Sequence, residues 1–379
     1  MGIAVPDYVA KHPLSDCPPG HRFSLYYDGW NTQWKIAEGE KAASLRRIVR
    51  LAPEAKALLD RLRARQEELA AQAHDDRCLV IDAVSASPFA SGLGNEHPVE
   101  NGFAFLSPYG LPYLAGSGVK GVLRRAAEEL LAAGLTQDVI DALFGPEDPA
   151  ALGEDPPLPE DQRRRGALTF WDVFPDPKGK ELDVEIMTPH YGAYYQGDDS
   201  PHDAGQPVPI PFLALPPGSR FTFIVVFEPA WLPKELPPFD WKAVMKQAFE
   251  RAFDWLGFGA KTAVGFGALK RDAQAQLERE RRTADRMKQK RLATLSEQGR
   301  QIEELRDRLQ KHQGKKQAVN GVLYQELSTL IKAALATPWP AAEQRALADL
   351  VADLGFAKID FQRREKDIKR QVRQLRGES

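Results

Sequence analysis

Trp255-Leu-Gly-Phe-Gly-Ala-Lys-Thr-Ala-Val-Gly-Phe-Gly-Ala-Leu269 is an apolar run broken by four glycines, Gly257, Gly259, Gly265 and Gly267, with Lys261 and Thr262 at its centre. Glycine reaches positive φ and lets another backbone come close, so the stretch reads as a loop whose amides face something. A phosphate beside the Lys261 ammonium suits that reading. Two named phosphate loops fail on the residues present. A Walker loop needs glycine directly before the Lys-Thr pair, where this chain has Ala260. A dinucleotide fingerprint needs a third glycine at the place of Thr262, and it runs from strand into helix. Here the order is reversed. Asp240–Trp255 carries the helical spacing Trp241, Val244, Ala248, Phe249, Ala252, Phe253, while Ala263–Leu269 reads as a strand. A helix leading into the loop does not aim its N-terminus at a pyrophosphate. The other reading of the glycines is a tight helix-to-strand connection in which they serve packing.

Upstream lies a second glycine motif, Leu111-Pro-Tyr-Leu-Ala-Gly-Ser-Gly-Val-Lys-Gly-Val-Leu-Arg-Arg125, which runs into a helix. Ser117 fits its N-cap. Lys120 and Arg124 are one turn apart on one face, with Arg125 beside them. Cations near a helix N-terminus oppose the macrodipole, so an anion there is favoured. Cys78–Ser85 is a compact β-branched run and fits a first strand, and Ala167–Phe174 alternates towards a second. Val208–Leu215 is expected to pair with Arg220–Phe227 across the turn Pro216-Pro-Gly-Ser219. An acidic, proline-rich linker, Pro146–Asp161, is followed by Arg163-Arg-Arg165, and Lys178–Gln206 reads as a long excursion from the sheet. Residues 78–271 thus run strand, helix, strand, strand, helix, strand. This is the ferredoxin-like (RRM-like) order, an α+β fold with insertions.

Around this core sit two flanks. Residues 1–77 form an N-terminal arm and helical segment, with aromatics Phe23, Tyr26, Tyr27, Trp30 and Trp34 and then two helical patterns divided by Pro53. Residues 272–379 form a basic helical or coiled-coil extension. Between Lys270 and Lys316 about 15 basic residues stand against 8 acidic ones, in what reads as one long helix. Three shorter helical patterns follow, at 318–336, 341–354 and 357–376, and their thin apolar stripe suggests a need for a partner surface.

The 379 residues are 43% hydrophobic and 27% charged, with a formal net charge of −2, so any basic surface must be local. Cys17 and Cys78 are far apart with no Cys-x-x-Cys pair, which argues against zinc and against a disulfide framework. No cofactor is expected. There is no signal-like N-terminus and no apolar run of membrane length, so the expectation is a cytoplasmic protein with no membrane partner.

The 111–124 motif resembles the Gly-Pro-Tyr-Ile-Pro-Gly-Ser-Ser-Leu-Lys-Gly-x-Leu-Arg segment of the RAMP superfamily of CRISPR proteins, with Ala115 and Gly118 in place of the usual Pro and Ser. Gly257–Gly267 looks like that superfamily's C-terminal glycine-rich loop. Ile186-Met-Thr-Pro-His-Tyr-Gly-Ala-Tyr-Tyr195, with Pro209–Leu213, is similar to the sixth subunit of type III-B (Cmr) effector complexes. The resemblance covers about 78–271. It implies an RNA-binding subunit near the 3′ part of the guide RNA, with guide RNA, target RNA and other Cmr-type RAMP subunits as partners. Carried over by position, Lys120, Arg124, Arg125, Gly257, Gly259, Lys261, Thr262 and Gly265 would meet RNA phosphates. Such contacts position the backbone and carry no sequence information.

A metal-independent endoribonuclease is the alternative, since His190 with Tyr191 and Lys120 offers a base and a cation; His97 and His202-Asp203 are further candidates. Guide-processing nucleases of the superfamily use a catalytic histidine, whereas the sixth subunit is non-catalytic. The expectation is therefore a non-catalytic RNA-binding protein with no metal site. A coiled-coil adaptor without RNA would leave the glycine motifs unused.

Overall fold

The computed structural model of the chain describes residues 3–12, 14–147, 159–160, 163–188, 209–319 and 321–377. The chain divides into two compact units, Met1–Leu277 and Glu278–Ser379.

In the first unit, helices α1 (Glu38–Ile48) and α2 (Pro53–Ala70) precede strand β1 (Cys78–Ser85). Pro53 stands in the first turn of α2, where a missing N–H costs nothing, so it starts the helix. There follow α3 (Gly116–Glu129), α4 (Gln137–Phe144), β2 (Leu168–Phe170), β3 (Asp183–Met187), β4 (Ile210–Ala214), β5 (Arg220–Phe227), α5 (Trp241–Arg251) and β6 (Leu269–Arg271). Four strands form one antiparallel sheet in the order β2-β5-β1-β6. Period-two alternation aims Ile81 and Ala83, opposite Phe223 and Phe221, into the core. Phe223 meets Phe249 of α5 at 5.3 Å and Phe258 of the glycine loop at 5.0 Å between ring centroids. Val119, Leu123 and Ala126 of α3 belong to the same core as Met245 and Ala248 of α5. Asp240 caps α5, its Oδ1 accepting from Lys242 N and Ala243 N at 3.0 Å.

The N-terminal arm is part of this core. Phe23 and Tyr27 are buried, and the Tyr27 hydroxyl meets Ser44 Oγ at 2.6 Å.

Two strand expectations are corrected. Ile210–Ala214 does not pair with Arg220–Phe227; it pairs with Asp183–Met187 in a separate two-stranded sheet. A strand has only two edges, and those of β5 are taken by β1 and β2. The turn between them locks onto β1 instead, with Gly218 N donating to Ser85 O and Ser85 N to Ser219 O, both at 2.8 Å. Likewise Ala263–Leu269 is no strand. A 3-10 turn occupies Thr262–Val264, Gly265 and Gly267 take positive φ, and β6 begins only at Leu269.

The second unit is a helical module with its own core. The single long helix expected from the composition is in fact α6 (Ala273–Thr294) and α7 (Glu297–Lys311). Ser296 caps the second, its Oγ accepting from Gly299 N at 3.0 Å. The short connection folds α7 back beside α6, where Arg291 pairs with Glu303 at 2.6 Å and Lys288 with Asp307. Helices α8 (Val322–Ala336), α9 (Ala341–Leu350) and α10 (Glu365–Arg376) complete the unit. Each apolar stripe is thin alone. Together Ile302, Leu309, Leu327, Ile331, Leu347 and Val372 bury one another, so the expected dependence on an outside surface does not hold. No helix among the described residues is long and apolar enough to cross a membrane.

Candidate nucleic-acid interface

The first glycine motif is fixed by backbone contacts. Leu114 bridges Val173, and Gly116 lies so close to β2 that a Cβ on it would stand 2.2 Å from Phe170 O. Helix α3 begins at Gly116 without a cap from Ser117. In place of that cap, Asp172 Oδ1 accepts from Gly116 N at 2.7 Å. The anion expected at this helix N-terminus is thus a carboxylate of the protein.

The three cations of the motif part company. Arg124 turns inward: its side chain is only 13% exposed, with Nε on Glu128 at 3.0 Å, Nη1 on Gly145 O at 2.5 Å and Nη2 by Asp141 at 3.5 Å. A guanidinium held by two carboxylates and a carbonyl is a structural clamp, so the assignment of Arg124 to a phosphate is corrected. Arg125 is exposed, within 3.7 Å of Glu128 and Glu129. Lys120 is half-buried and makes no ion pair among the described residues. Its pKa lies below the ordinary lysine value, first because of burial and then because Arg124 and Arg165 are its charged neighbours.

Arg165 is a residue that the helix pattern did not single out, although the Arg163–Arg165 run was visible. Gly166 brings it in by packing against the end of α4, where a Cβ would be 2.3 Å from Phe144 C. Arg165 Nη2 donates to Thr169 Oγ1 at 2.9 Å, and the guanidinium lies 4.1 Å from the ring centroid of Trp231, which is 40% exposed. Lys120, Arg165 and Trp231 form an electropositive part of this unit that also offers an aromatic face.

The second motif is held inward. Cβ atoms on Gly259 and Gly267 would stand 2.3 Å from Ala90 O and 1.9 Å from Phe258 O. The amides of Gly257, Gly265 and Gly267 donate to Ala252 O, Thr262 O and Pro88 O. The sequence expectation that glycine amides here face a phosphate is therefore corrected for Gly257 and Gly265, whose amides face the protein as that of Gly267 does. Lys261, at φ +59°, has its Nζ 3.7 Å from Met187 Sδ and 5.7 Å from the Phe212 ring centroid, on the β3–β4 hairpin. Thr262 stands beside it, with its methyl next to Gly257. Among the described residues no contact joins Lys261 to Lys120.

Of the histidines, His97 is structural. It stacks on Phe23 at 3.6 Å and accepts from Val99 N through Nδ1, so Nε2–H donates to Phe23 O at 2.9 Å. Burial lowers its pKa. His190, Tyr191, His202 and Asp203 lie outside the described residues.

Residues 83–270 match the RAMP superfamily. The chain is a RAMP-superfamily protein. It is 27% identical over 224 residues to the CRISPR system Cmr subunit Cmr6 of Pyrococcus furiosus, covering 47% of this chain and 63% of that protein. It therefore spans less than two thirds of that relative. Among solved structures it is similar to a chain of the type III-B Cmr-beta complex bound to cognate target RNA, at 18% identity and TM-score 0.41, covering 62% of this chain and 70% of that one. It is similar also to crystalline Cmr6 from Pyrococcus furiosus, at 26% identity and TM-score 0.27, covering 51% and 97%. Within the superfamily its likeness is to the Cmr6 subunit.

Proposed function

We propose that this RAMP protein is a non-catalytic RNA-binding subunit of a type III-B ribonucleoprotein effector complex in antiviral defence, working in the cytoplasm. It holds the guide RNA backbone towards its 3′ part and docks on neighbouring RAMP subunits, with target RNA alongside. Its core is the ferredoxin-like (RRM-like) fold; the order β2-β5-β1-β6, with a helix between β1 and β2 and another between β5 and β6, supports that reading.

The observation that carries the proposal is Lys120. A half-buried ammonium whose charged neighbours are Arg124 and Arg165 is an unfavourable arrangement until an anion arrives. Trp231 beside Arg165 adds a surface on which a base can stack. The phosphate-facing set is then Lys120, Arg125, Arg165, Lys261 and Thr262, while Arg124, Gly257, Gly259 and Gly265 shape the fold. The test is purification with the neighbouring subunits, asking whether a short RNA co-elutes; a complex that assembles without RNA sinks the proposal. In the same sample His190→Ala should leave RNA intact or cleaved as in the wild type. Loss of cleavage with affinity retained would instead make the chain an endoribonuclease.

A further inference from the structure

Charge is divided unevenly along the chain. Residues 278–379 hold 23 Lys and Arg against 15 Asp and Glu, a formal +8, whereas 1–277 hold 28 against 38, a formal −10. Much of the basic excess lies at the end of the second unit. Arg363, Lys366, Arg370 and Arg373 are spaced three, four and three residues apart, so they share one side of α10 and the turn before it. The opposite side carries Ile368, Val372 and Leu375, which are buried in the helical core. All four cations are exposed. Arg370 lies 3.5 Å from Asp367, and the other three make no ion pair among the described residues. Elsewhere in the unit Asp307, Glu303, Glu326 and Asp349 each pair with a cation. Like charges one turn apart weaken a helix, so this stripe works against the element that bears it.

We infer that the Arg363–Arg373 stripe is a second nucleic-acid site, one that takes the phosphate backbone of single-stranded RNA. The stripe spans about 15 Å at 1.5 Å per residue, long enough to meet more than one phosphate of a single strand. An acidic protein surface fits it less well. Stable protein interfaces are built on a buried apolar or aromatic anchor and are depleted in lysine, and this face carries no apolar residue between its cations. Nucleic-acid sites are polar and cationic throughout. The inference concerns residues beyond the RAMP match and does not rest on the reading of Lys120.

The test uses the full chain, a labelled uridine 30-mer and a salt titration. Lys366→Gln with Arg373→Gln removes two cations that make no ion pair among the described residues, and Lys332→Gln with Arg345→Gln makes the same charge change elsewhere in the unit. The stripe variant should flatten the slope of log affinity against log salt by about 1.4, twice the single-strand value per phosphate. Between about 50 and 200 mM salt the wild type would then lose about sevenfold more affinity than this variant. The control variant should follow the wild type. An equal effect in the control, an unchanged slope in the stripe variant, or no RNA binding by the wild type would each overturn the site. So would loss of a salt-sensitive protein association with RNA affinity intact, which would give the stripe to an acidic protein. A Lys120→Gln arm separates the two readings, since either site can fail while the other still responds.

Discussion

In the sequence, Gly257–Gly267 and Gly116–Arg125 are the same kind of segment: glycines, small residues and a lysine beside a helix. In the structure they do different work. The first draws in the backbones of Pro88, Ala90 and Phe258 and returns the amides of Gly257, Gly265 and Gly267 to protein carbonyls. The second uses one close contact, Gly116 against Phe170, to seat a helix whose lysine meets no acid among the described residues. Glycine density therefore reports that a backbone comes near, not whose backbone it is. A cation without a carboxylate is the more direct sign of an absent anion.

The largest effect expected separates the glycines of the loop. Gly267→Ala puts a Cβ 1.9 Å from Phe258 O at φ +70°, and no rotamer relieves a clash with backbone. A loss of roughly 3–5 kcal/mol in denaturant unfolding is expected. Gly265 has φ +94° and open space around it, so Gly265→Ala should lose only about 1–2 kcal/mol. Equal losses would mean that conformation, and not close approach, governs the loop.

Arg124 comes next. Arg124→Ala removes the partner that Glu128, Asp141 and the Gly145 carbonyl share in a mostly buried place, at a cost of about 2–3 kcal/mol. RNA affinity, measured on folded protein, should not change. Normal stability with weakened RNA binding would return Arg124 to the phosphate set.

These two cases mark how far the sequence could be read. β1 was legible to the residue because Cys78–Ser85 is a β-branched run with turns at both ends. The two helices of the core followed from their apolar spacing. Strand partners were not legible, because pairing depends on which edges remain open; β4 met β3 only because β5 was already filled. Arg124 and Lys120 were indistinguishable by spacing. Their fates diverge through Glu128, visible at i+4, and through Asp141 and Gly145, brought in by the return of α4. The break at Ser296 was written as a Ser followed by Glu297, yet the arginine-rich composition on both sides hid it.

A smaller effect concerns His97. Its pKa in the fold lies below the ordinary value of 6.5, so the unfolded chain binds more protons in the interval between the two. Stability is full above about 6.5 and falls as pH drops towards the depressed folded value, by at most about 1.4 kcal/mol per pH unit. His97→Gln should remove that part of the acid-side decline in Tm. An identical decline in both proteins would free His97 from the structural role that its stack on Phe23 gives it.

The smallest stability change, with the clearest functional one, is expected at Lys120. Burial and two neighbouring guanidinium groups disfavour its charged form, so the fold carries a cost that eases as pH rises from the folded pKa towards 10.5. Lys120→Met keeps the length of the side chain and removes the charge, so stability should equal or exceed that of the wild type by less than about 1 kcal/mol. RNA affinity should fall alike for all sequences, with the salt slope reduced by about 0.7. A phosphate raises the lysine pKa on binding, so binding takes up a proton between the free and bound values. Affinity of the wild type should therefore decline on the alkaline side before an ordinary lysine would titrate. Lys120→Arg should retain affinity and lack that decline, and Lys120→Met should lack both. If Lys120→Met destabilises the fold while leaving affinity, salt slope and alkaline profile unchanged, Lys120 belongs with Arg124 as a structural cation, and the contrast between the two glycine motifs disappears.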